Sequence, residues 1–128
     1  MNADKILILG GITPGQSTDA VAAVMAEILE ADLLIRATDL DGVYTANPDV
    51  DPEATLLPEV SMKQLLQLIS KSRQSAGEYP LLDQVAANIL RRSQIPTIFI
   101  NGKKTPLITQ AALTKKVDVG TLITYSKK

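Results

Sequence analysis

The chain lacks cysteine and histidine altogether in its 128 residues. Without cysteine, disulfides, thiolate nucleophiles and metal sites built on thiolates are excluded. Without histidine, a Ser-His-Asp triad, a histidine base and a histidine-ligated metal are excluded as well. No protein-ligated metal site is therefore expected, and any bound metal would be a hard cation held by oxygen atoms. The absence of cysteine also favours a cytoplasmic location.

Aromatic residues, charge of one sign and long apolar runs are scarce too. The aromatic residues, only 3% of the chain, are too few for a platform on which single-stranded nucleic acid would stack. The 13 Lys and Arg residues nearly balance the 14 Asp and Glu residues, so no cationic field would collect nucleic acid or anionic lipid. No apolar run approaches the ~20 residues that cross a bilayer. We therefore expect neither a nucleic-acid partner nor a membrane partner.

What the sequence does contain is a series of short apolar segments. A length of 128 residues with 45% apolar content fits one domain over residues 1–128. Apolar runs predict buried strands, the last of them near an edge, at residues 6–9, 33–35, 97–100 and 122–125. Helical patterns lie at residues 18–30, 62–70, 105–114 and from Pro80 onward. This order predicts an α/β domain of three αβα layers with a largely parallel sheet, whose ligands sit at the carboxyl ends of strands.

Local signals define the ends and faces of the predicted helices. Ser61 followed by Gln64 resembles a capping box. Thr105 and Pro106 resemble an N-cap and the first helical residue. Two buried stripes at helical spacing are expected, one of Val21, Val24, Met25 and Ile28 and the other of Leu82, Val85, Ala86, Ile89 and Leu90.

The segment between the first predicted strand and helix is the first candidate site. It reads Gly-Gly-Ile-Thr-Pro-Gly-Gln-Ser-Thr-Asp over residues 10–19. Its glycines let a ligand approach the backbone, and Ser17, Thr18 and the helix start offer donors, which together describe an anion cradle for phosphate. It matches neither the Walker A pattern nor the dinucleotide GxGxxG. The simpler alternative is a turn capped by Ser17 or Thr18.

Asp19 falls in the first turn of the predicted helix. The helix dipole favours a carboxylate there by about 0.3–1 kcal/mol, which alone accounts for its presence. The functional alternative is that Asp19 orients a lysine or a magnesium ion beside bound phosphates.

Two more candidates follow later strands. Residues 38–48 read Thr-Asp-Leu-Asp-Gly-Val-Tyr-Thr-Ala-Asn-Pro, and their carboxylate, amide, backbone and tyrosine groups could hold a sugar and a base. The alternative is a solvated loop stabilised by Asx turns. Residues 101–104 read Asn-Gly-Lys-Lys, and these lysines could face a polyphosphate or simply keep the surface soluble.

The order of these motifs resembles the amino-acid kinase superfamily, and within it the archaeal-type UMP kinases. The motifs are Gly-Gly-x-x-Pro-Gly-x-Ser-Thr-Asp-Ala-Val-Ala and Thr-Asp-x-Asp-Gly-Val-Tyr, with further similarity at residues 76–83, 92–95 and 120–123. The resemblance covers nearly the whole chain but only the C-terminal, nucleotide-binding half of the family fold. Family members begin with a Lys-x-x-Gly strand and a second Gly-rich turn, which are not found here. The resemblance therefore implies a truncated piece or a natural half-length relative.

The resemblance implies a phosphoryl transfer from ATP, with Mg²⁺, to UMP, a step of pyrimidine biosynthesis that gives UDP. It assigns Asp19 as a catalytic group that organises lysines. It assigns the acceptor phosphate to Gly11, Ile12, Thr13, Pro14, Gly15, Gln16, Ser17 and Thr18. It assigns ATP to Thr38, Asp39, Gly42, Val43, Tyr44, Asn47 and Pro48. Phosphoryl transfer depends on positioning and charge neutralisation, so without the N-terminal lysine we expect the chain alone to be inactive.

Two departures and one further resemblance keep an alternative open. Family enzymes commonly have Asp where this chain has Asn47, and Asn where it has Asp39. The Thr-Ala-Asn-Pro tetrapeptide also resembles the molybdenum storage protein, an ATP-binding relative, although the lack of histidine argues against oxomolybdate sites. The alternative is thus a non-catalytic nucleotide- or anion-binding module. We also expect a homo-oligomer, because apolar surface left uncovered by an absent half drives association, and a separate N-terminal half is a second expected partner.

Overall fold

The computed structural model describes residues 5–12, 14, 16–72, 79 and 81–125. Within these residues the helices, numbered in chain order, are α1 (Thr18–Ile28), α2 (Met62–Ser72), α3 (Gln84–Ser93) and α4 (Thr105–Thr114). The strands are β1 (Leu34–Thr38), β2 (Glu59–Ser61), β3 (Thr97–Asn101) and β4 (Thr121–Thr124).

The described strands form one mostly parallel sheet in the order β1-β3-β4-β2. β1 pairs parallel with β3, and β2 pairs parallel with β4. β3 and β4 are antiparallel, so the two parallel pairs run in opposite directions. The carboxyl ends of β1 and β3 therefore share one end of the sheet, and those of β2 and β4 share the other. The predicted α/β class is confirmed.

Helices cover both faces of this sheet. Along β3, successive side chains alternate between two apolar clusters, as the pleat requires. Phe99 joins the larger cluster, to which α1, α2 and α3 each contribute buried residues. Ile98 and Ile100 join the smaller cluster, with Ala111 of α4. Three layers follow, with α4 on one face and the other described helices opposite.

Helix α1 is buried mainly through its alanines and Val21, and the larger residue at its end is exposed. Ser17 caps the helix by accepting a hydrogen bond from the Ala20 N–H at 3.2 Å. Ala20 and Ala23 are fully buried, whereas Ile28 is 65% exposed. The predicted stripe that ended at Ile28 is therefore wrong at that position, because close packing against α3 selects the small side chains.

The remaining helix signals hold with small shifts. Gln64 and Ser61 form the predicted capping box, each backbone N–H bonding the other side chain. In α3 the predicted stripe is buried except for Val85, which is 47% exposed. The predicted start of this helix at Pro80 lies outside the described residues, and α3 itself begins after Asp83. Thr105 is already helical and does not act as the N-cap, a place taken by Lys104 without a side-chain bond.

The strand predictions were wrong at positions where strand formation depends on pairing with a distant strand rather than on the local sequence. Residues 6–9 form no strand, and Ile6 and Ile8 are 93% and 89% exposed. An apolar run forms a stable strand only beside a partner, and this run has none among the described residues. The three-residue β2 was not predicted, since Glu59 and Ser61 give it no apolar run. β4 was expected near an edge but lies between β3 and β2.

Candidate functional site

The loops after β1 and β3 meet at the end of the sheet where both of these strands terminate. Thr38 and Asn101 face each other in the ladder, which brings the second and third candidate segments together. The Asn101 amide donates to the Asp41 carboxylate at 3.1 Å, and the Lys104 ammonium donates to the same oxygen at 2.7 Å. The hydrogen bond from Lys104 holds the pKa of Asp41 below its ordinary value despite partial burial. Lys103 has no ion-pair partner among the described residues.

The interior of the loop after β1 is packed tightly. A Cβ on Gly42 would lie 2.5 Å from the Thr121 hydroxyl and 3.0 Å from a Leu56 methyl, so glycine is required by packing. Val43 is fully buried, and its N–H donates to the Thr121 hydroxyl at 2.8 Å. The Val43 N–H is therefore not available to a ligand.

The outer part of the same loop is held by side chains within the protein. The Tyr44 N–H donates to the buried Tyr79 hydroxyl at 2.7 Å. Burial raises the pKa of Tyr79, so its hydroxyl stays neutral over the physiological range. The side-chain amide oxygen of Asn47 accepts from the Asp49 N–H at 3.0 Å, which is the Asx turn of the simpler alternative. Thr38 bonds Leu40 through its hydroxyl at 3.1 Å. Pro48 is half-buried, and Asp39 is exposed.

The first candidate loop lies open to solvent. Gly10 and Gly11 have no neighbour within 4 Å of an added Cβ, and Ile12 is 61% exposed. Pro14, Gln16 and Thr18 are exposed as well, whereas Thr13 and Gly15 lie outside the described residues. Among the described residues of the loop, Ser17 is the one held by side-chain hydrogen bonds, since it caps α1 and donates to Asp83 at 2.5 Å. The capping role of Ser17 is thus observed, and no closed cradle forms in the described part of this loop.

Asp19 is paired with an arginine. Nε and Nη2 of Arg36 donate to the two Asp19 carboxylate oxygens at 3.0 Å each. The guanidinium also lies 5.2 Å from the centroid of the Phe99 ring, within cation–π range. Sequence reasoning missed Arg36, although a single charge inside the apolar run of residues 33–37 was the signal available.

Two clefts flank Arg36. One of about 240 Å³ lies beside α1 and β1 and includes Thr18, Asp19 and Arg36. The other, of about 120 Å³, includes Arg36, Thr38 and Tyr79. Both volumes fall below the roughly 300–1,000 Å³ of ordinary small-molecule sites. Neither cleft is therefore large enough by itself to enclose an ordinary small-molecule ligand.

The described residues offer neither a carboxylate-rich metal cluster nor a membrane-spanning helix. No cluster of three or more His, Cys, Asp and Glu side chains suited to a metal ion occurs among them. None of the helices they form combines the length and apolar character of a membrane span.

Known proteins with similar sequences and folds can be identified. The Amino acid kinase family model matches residues 1–101. The uridylate kinase of Methanocella arvoryzae is 42% identical over 123 residues, which are 96% of this chain and 54% of that protein. The uridylate kinase of Methanocorpusculum labreanum is 44% identical over 119 residues, 93% of this chain and 50% of that protein. The crystal structure of uridylate kinase from Archaeoglobus fulgidus matches with a TM-score of 0.74 and 40% identity, covering 90% of this chain and 50% of that one.

The chain spans about half the length of the curated relatives it matches. The family match extends over most of the chain, includes β1, the loop after it and β3, and stops at the last residue of β3. The chain belongs to the amino acid kinase family.

Proposed function

We propose that residues 1–128 form one domain, the nucleotide-binding half of a UMP kinase. The complete site would transfer the γ-phosphoryl group of ATP to UMP and release UDP. The observation that carries this proposal is the meeting of the loops after β1 and β3 beside Arg36, which Asp19 holds in place. Similarity to uridylate kinases at about 40% identity supports the same substrates.

ATP would lie along the loop after β1. Thr38, Asp39, Tyr44, Asn47 and Pro48 border the sheet end and would face its ribose and base. Gly42 and Val43 would support this wall from inside, since both are buried. The exposed Lys103 would approach the polyphosphate, where a cation offsets charge.

UMP would be held on the α1 side of Arg36. Residues 11–18 would close around its phosphate, with backbone N–H groups as donors. Arg36 is in reach of both clefts, so its guanidinium would face the group in transfer. Phosphoryl transfer requires positioned charge, which an arginine fork supplies without histidine or cysteine.

Mg²⁺ would accompany ATP on its phosphates, because this ion keeps several waters and needs few protein ligands. Asp19 and Asp41 are already paired with Arg36 and Lys104, so they fit a dedicated metal site poorly. The exposed Asp39 could hold a water of the hydrated ion. Mg²⁺ neutralises phosphate charge in such reactions.

The chain alone should bind nucleotide weakly and produce no UDP, because neither cleft beside Arg36 is large enough to enclose a nucleotide and the lysine that the family resemblance places on the transferred group would come from the other half. A coupled assay with purified chain, ATP, Mg²⁺ and UMP measures this, and robust UDP formation would overturn the prediction of inactivity. Adding the remaining segment of the Methanocella arvoryzae relative in trans should restore activity. We also propose a cytoplasmic location.

Calorimetry separates the kinase proposal from the non-catalytic alternative. Binding of both ATP and UMP, with turnover upon complementation, supports the kinase. Binding of ATP alone, without turnover in the complemented mixture, favours a nucleotide-binding module. If neither ATP nor UMP gives a heat of binding, with the chain alone or in the complemented mixture, both the kinase proposal and the binding-module alternative are contradicted.

A further inference from the structure

A groove between α2 and α3 lies at the opposite end of the sheet from the candidate nucleotide site. Its volume is about 510 Å³, within the range of small-molecule sites. Tyr125 directly follows β4, and Met62 directly follows β2, so the carboxyl ends of this parallel pair border it. None of the residues assigned to ATP or UMP lines it. Among the described residues the lining is Met62, Lys63, Leu66, Gln67, Ser70, Arg91, Gln94 and Tyr125.

The floor of the groove is apolar and well supported. Met62 is buried and Leu66 is half-buried, and both project from α2. The Tyr125 hydroxyl donates to the Ile95 carbonyl at 2.7 Å, which fixes the ring at the end of β4. An apolar body of the size of one or two rings would remove this surface from water.

The rim carries positive charge without compensation. Lys63 from α2 and Arg91 from α3 line the groove, and neither forms an ion pair with another described residue. No carboxylate occurs among the described residues of the lining. The neighbouring Arg92 behaves differently, because its guanidinium is paired with Glu27 outside the groove.

Polar groups that can orient a ligand are also available. Gln67 and Gln94 offer amides, and Ser70 offers a hydroxyl. Gln94 ends α3 in the left-handed conformation with φ of 54°, and its N–H bonds the Leu90 carbonyl at 2.8 Å. The backbone that carries one of these amides is therefore fixed.

We propose that this groove binds a small organic anion that joins an apolar ring or chain to one phosphate or carboxylate group. The apolar part would lie on Met62, Leu66 and the Tyr125 ring. The anionic group would lie between Lys63 and Arg91. This site is separate from the nucleotide site and does not depend on the proposed kinase activity.

1-Naphthyl phosphate is a suitable probe, since the chain has no tryptophan whose emission would mask it. Its fluorescence anisotropy should rise on titration with the purified chain. Neutral 1-naphthol should bind about tenfold more weakly, because a charge-assisted contact contributes on the order of that factor. Comparison with 1-naphthoate distinguishes a phosphate site from a carboxylate site.

Variants locate the binding. The double substitution Lys63→Gln/Arg91→Gln should weaken 1-naphthyl phosphate by at least roughly tenfold, whereas Lys116→Gln, an exposed lysine outside the groove, should leave its affinity unchanged. Excess ATP and UMP should not displace the probe. Equal binding of 1-naphthol, unchanged affinity of the double variant, or no anisotropy change at millimolar protein would each overturn the proposal.

Discussion

The guanidinium of Arg36 donates to both carboxylate oxygens of Asp19, from Nε to Oδ1 and from Nη2 to Oδ2. The pair joins the first turn of α1 to the middle of β1, and the side chains are only 20% and 25% exposed. A bidentate pair fixes the orientation of the guanidinium in addition to attracting it. Asp19 therefore positions an arginine, whereas the resemblance implied that it organises lysines.

Breaking this pair should destabilise the fold. Asp19→Asn and Arg36→Gln each leave a partly buried charge without its partner, at a cost of about 1–2 kcal/mol, between the values for exposed and buried pairs. The double variant should lose less than the sum of the single losses. Urea unfolding followed by circular dichroism measures these free energies of unfolding.

The exposed pair of Lys115 and Asp32, with an N–O distance of 3.7 Å, is the matched control. Asp32→Asn should change the free energy of unfolding by less than about 0.5 kcal/mol. Strict additivity in the Asp19 and Arg36 cycle would mean that the two side chains do not interact in solution.

The same pair should control the affinity for phosphate ligands under the proposed function. The Arg36 fork can bind a phosphate only in competition with Asp19. Asp19→Asn should therefore tighten ATP binding about threefold, and Arg36→Gln should weaken it about tenfold. Calorimetry measures both, with Arg92→Gln as a control that removes an exposed arginine elsewhere. Weaker binding by both variants would show that the intact pair, rather than a released Arg36, is what ATP requires.

Asp83 should make stability depend on acid pH. Burial alone would raise the pKa of Asp83, but hydrogen bonds from Ser17 and from the Val85 and Ala86 amides outweigh it and hold that pKa below its ordinary value. Since the pKa is lower in the folded chain, the stabilisation is complete above the unfolded pKa of about 3.9 and is lost as the pH falls through the folded pKa. Asp83→Asn, which keeps a capping side chain, should cost about 1 kcal/mol at neutral pH.

That difference between wild type and Asp83→Asn should begin to narrow as the pH falls below the unfolded pKa of about 3.9 toward pH 3, and it disappears only below the lower folded pKa. Chemical unfolding at several pH values checks it. Glu27 and Asp41 also have lowered pKa values, but they titrate in both proteins and cancel in the difference. If the difference in free energy of unfolding between wild type and Asp83→Asn stays constant down to pH 3, the substitution destabilises the chain through packing rather than through the charge of Asp83.

Local sequence signals were sufficient for most of the fold. The capping box at Ser61 and the apolar run of β3 predicted their elements, because caps and apolar periodicity act over a few residues. They were insufficient where the outcome depends on distant partners. Residues 6–9 have the composition of a buried strand, yet remain exposed. The exposed ends of β2 give no signal, and its existence depends on pairing with β4.

The candidate site was foreseeable to a similar degree. The rule that ligands lie at the carboxyl ends of parallel strands directed attention to the segments that contain Thr38 and Asn101. The contacts that tie the site to the rest of the fold were not foreseeable from local patterns. Arg36 is 17 positions from Asp19, and Asp83 is 66 positions from Ser17. Only the three-dimensional packing of α1 against β1 and α3 creates them.

Gly42 should tolerate no larger residue. An added Cβ would lie 2.5 Å from the Thr121 hydroxyl, which itself accepts from the Val43 N–H and donates to the Leu57 carbonyl at 2.6 Å. Gly42→Ala should therefore displace Thr121 and cost about 1–3 kcal/mol, the usual penalty for overpacking. Gly11→Ala is the control, since open space surrounds it, and it should change stability by less than about 0.5 kcal/mol. Thermal unfolding compares the two, and equal melting temperatures would contradict the packing requirement.

The exposed apolar run at residues 6–9 should make the chain self-associate. Ile6 and Ile8 are 93% and 89% exposed, and Leu7 and Leu9 about half exposed. β1 is the terminal strand of the described sheet, so its outer edge is open to another strand. Apolar surface and an unpaired edge in one molecule are the usual conditions for association between copies.

Charge on this run should oppose that association, because burying an unpaired carboxylate is costly. Ile6→Asp/Ile8→Asp should shift the chain toward monomer in multi-angle light scattering, whereas Leu113→Asp, at an 80% exposed position on α4, should not. A wild-type chain that remains monomeric at high concentration would contradict the prediction. If Leu113→Asp had an equal effect, association would depend on general surface hydrophobicity rather than on residues 6–9, because Leu113 lies on a different element, α4.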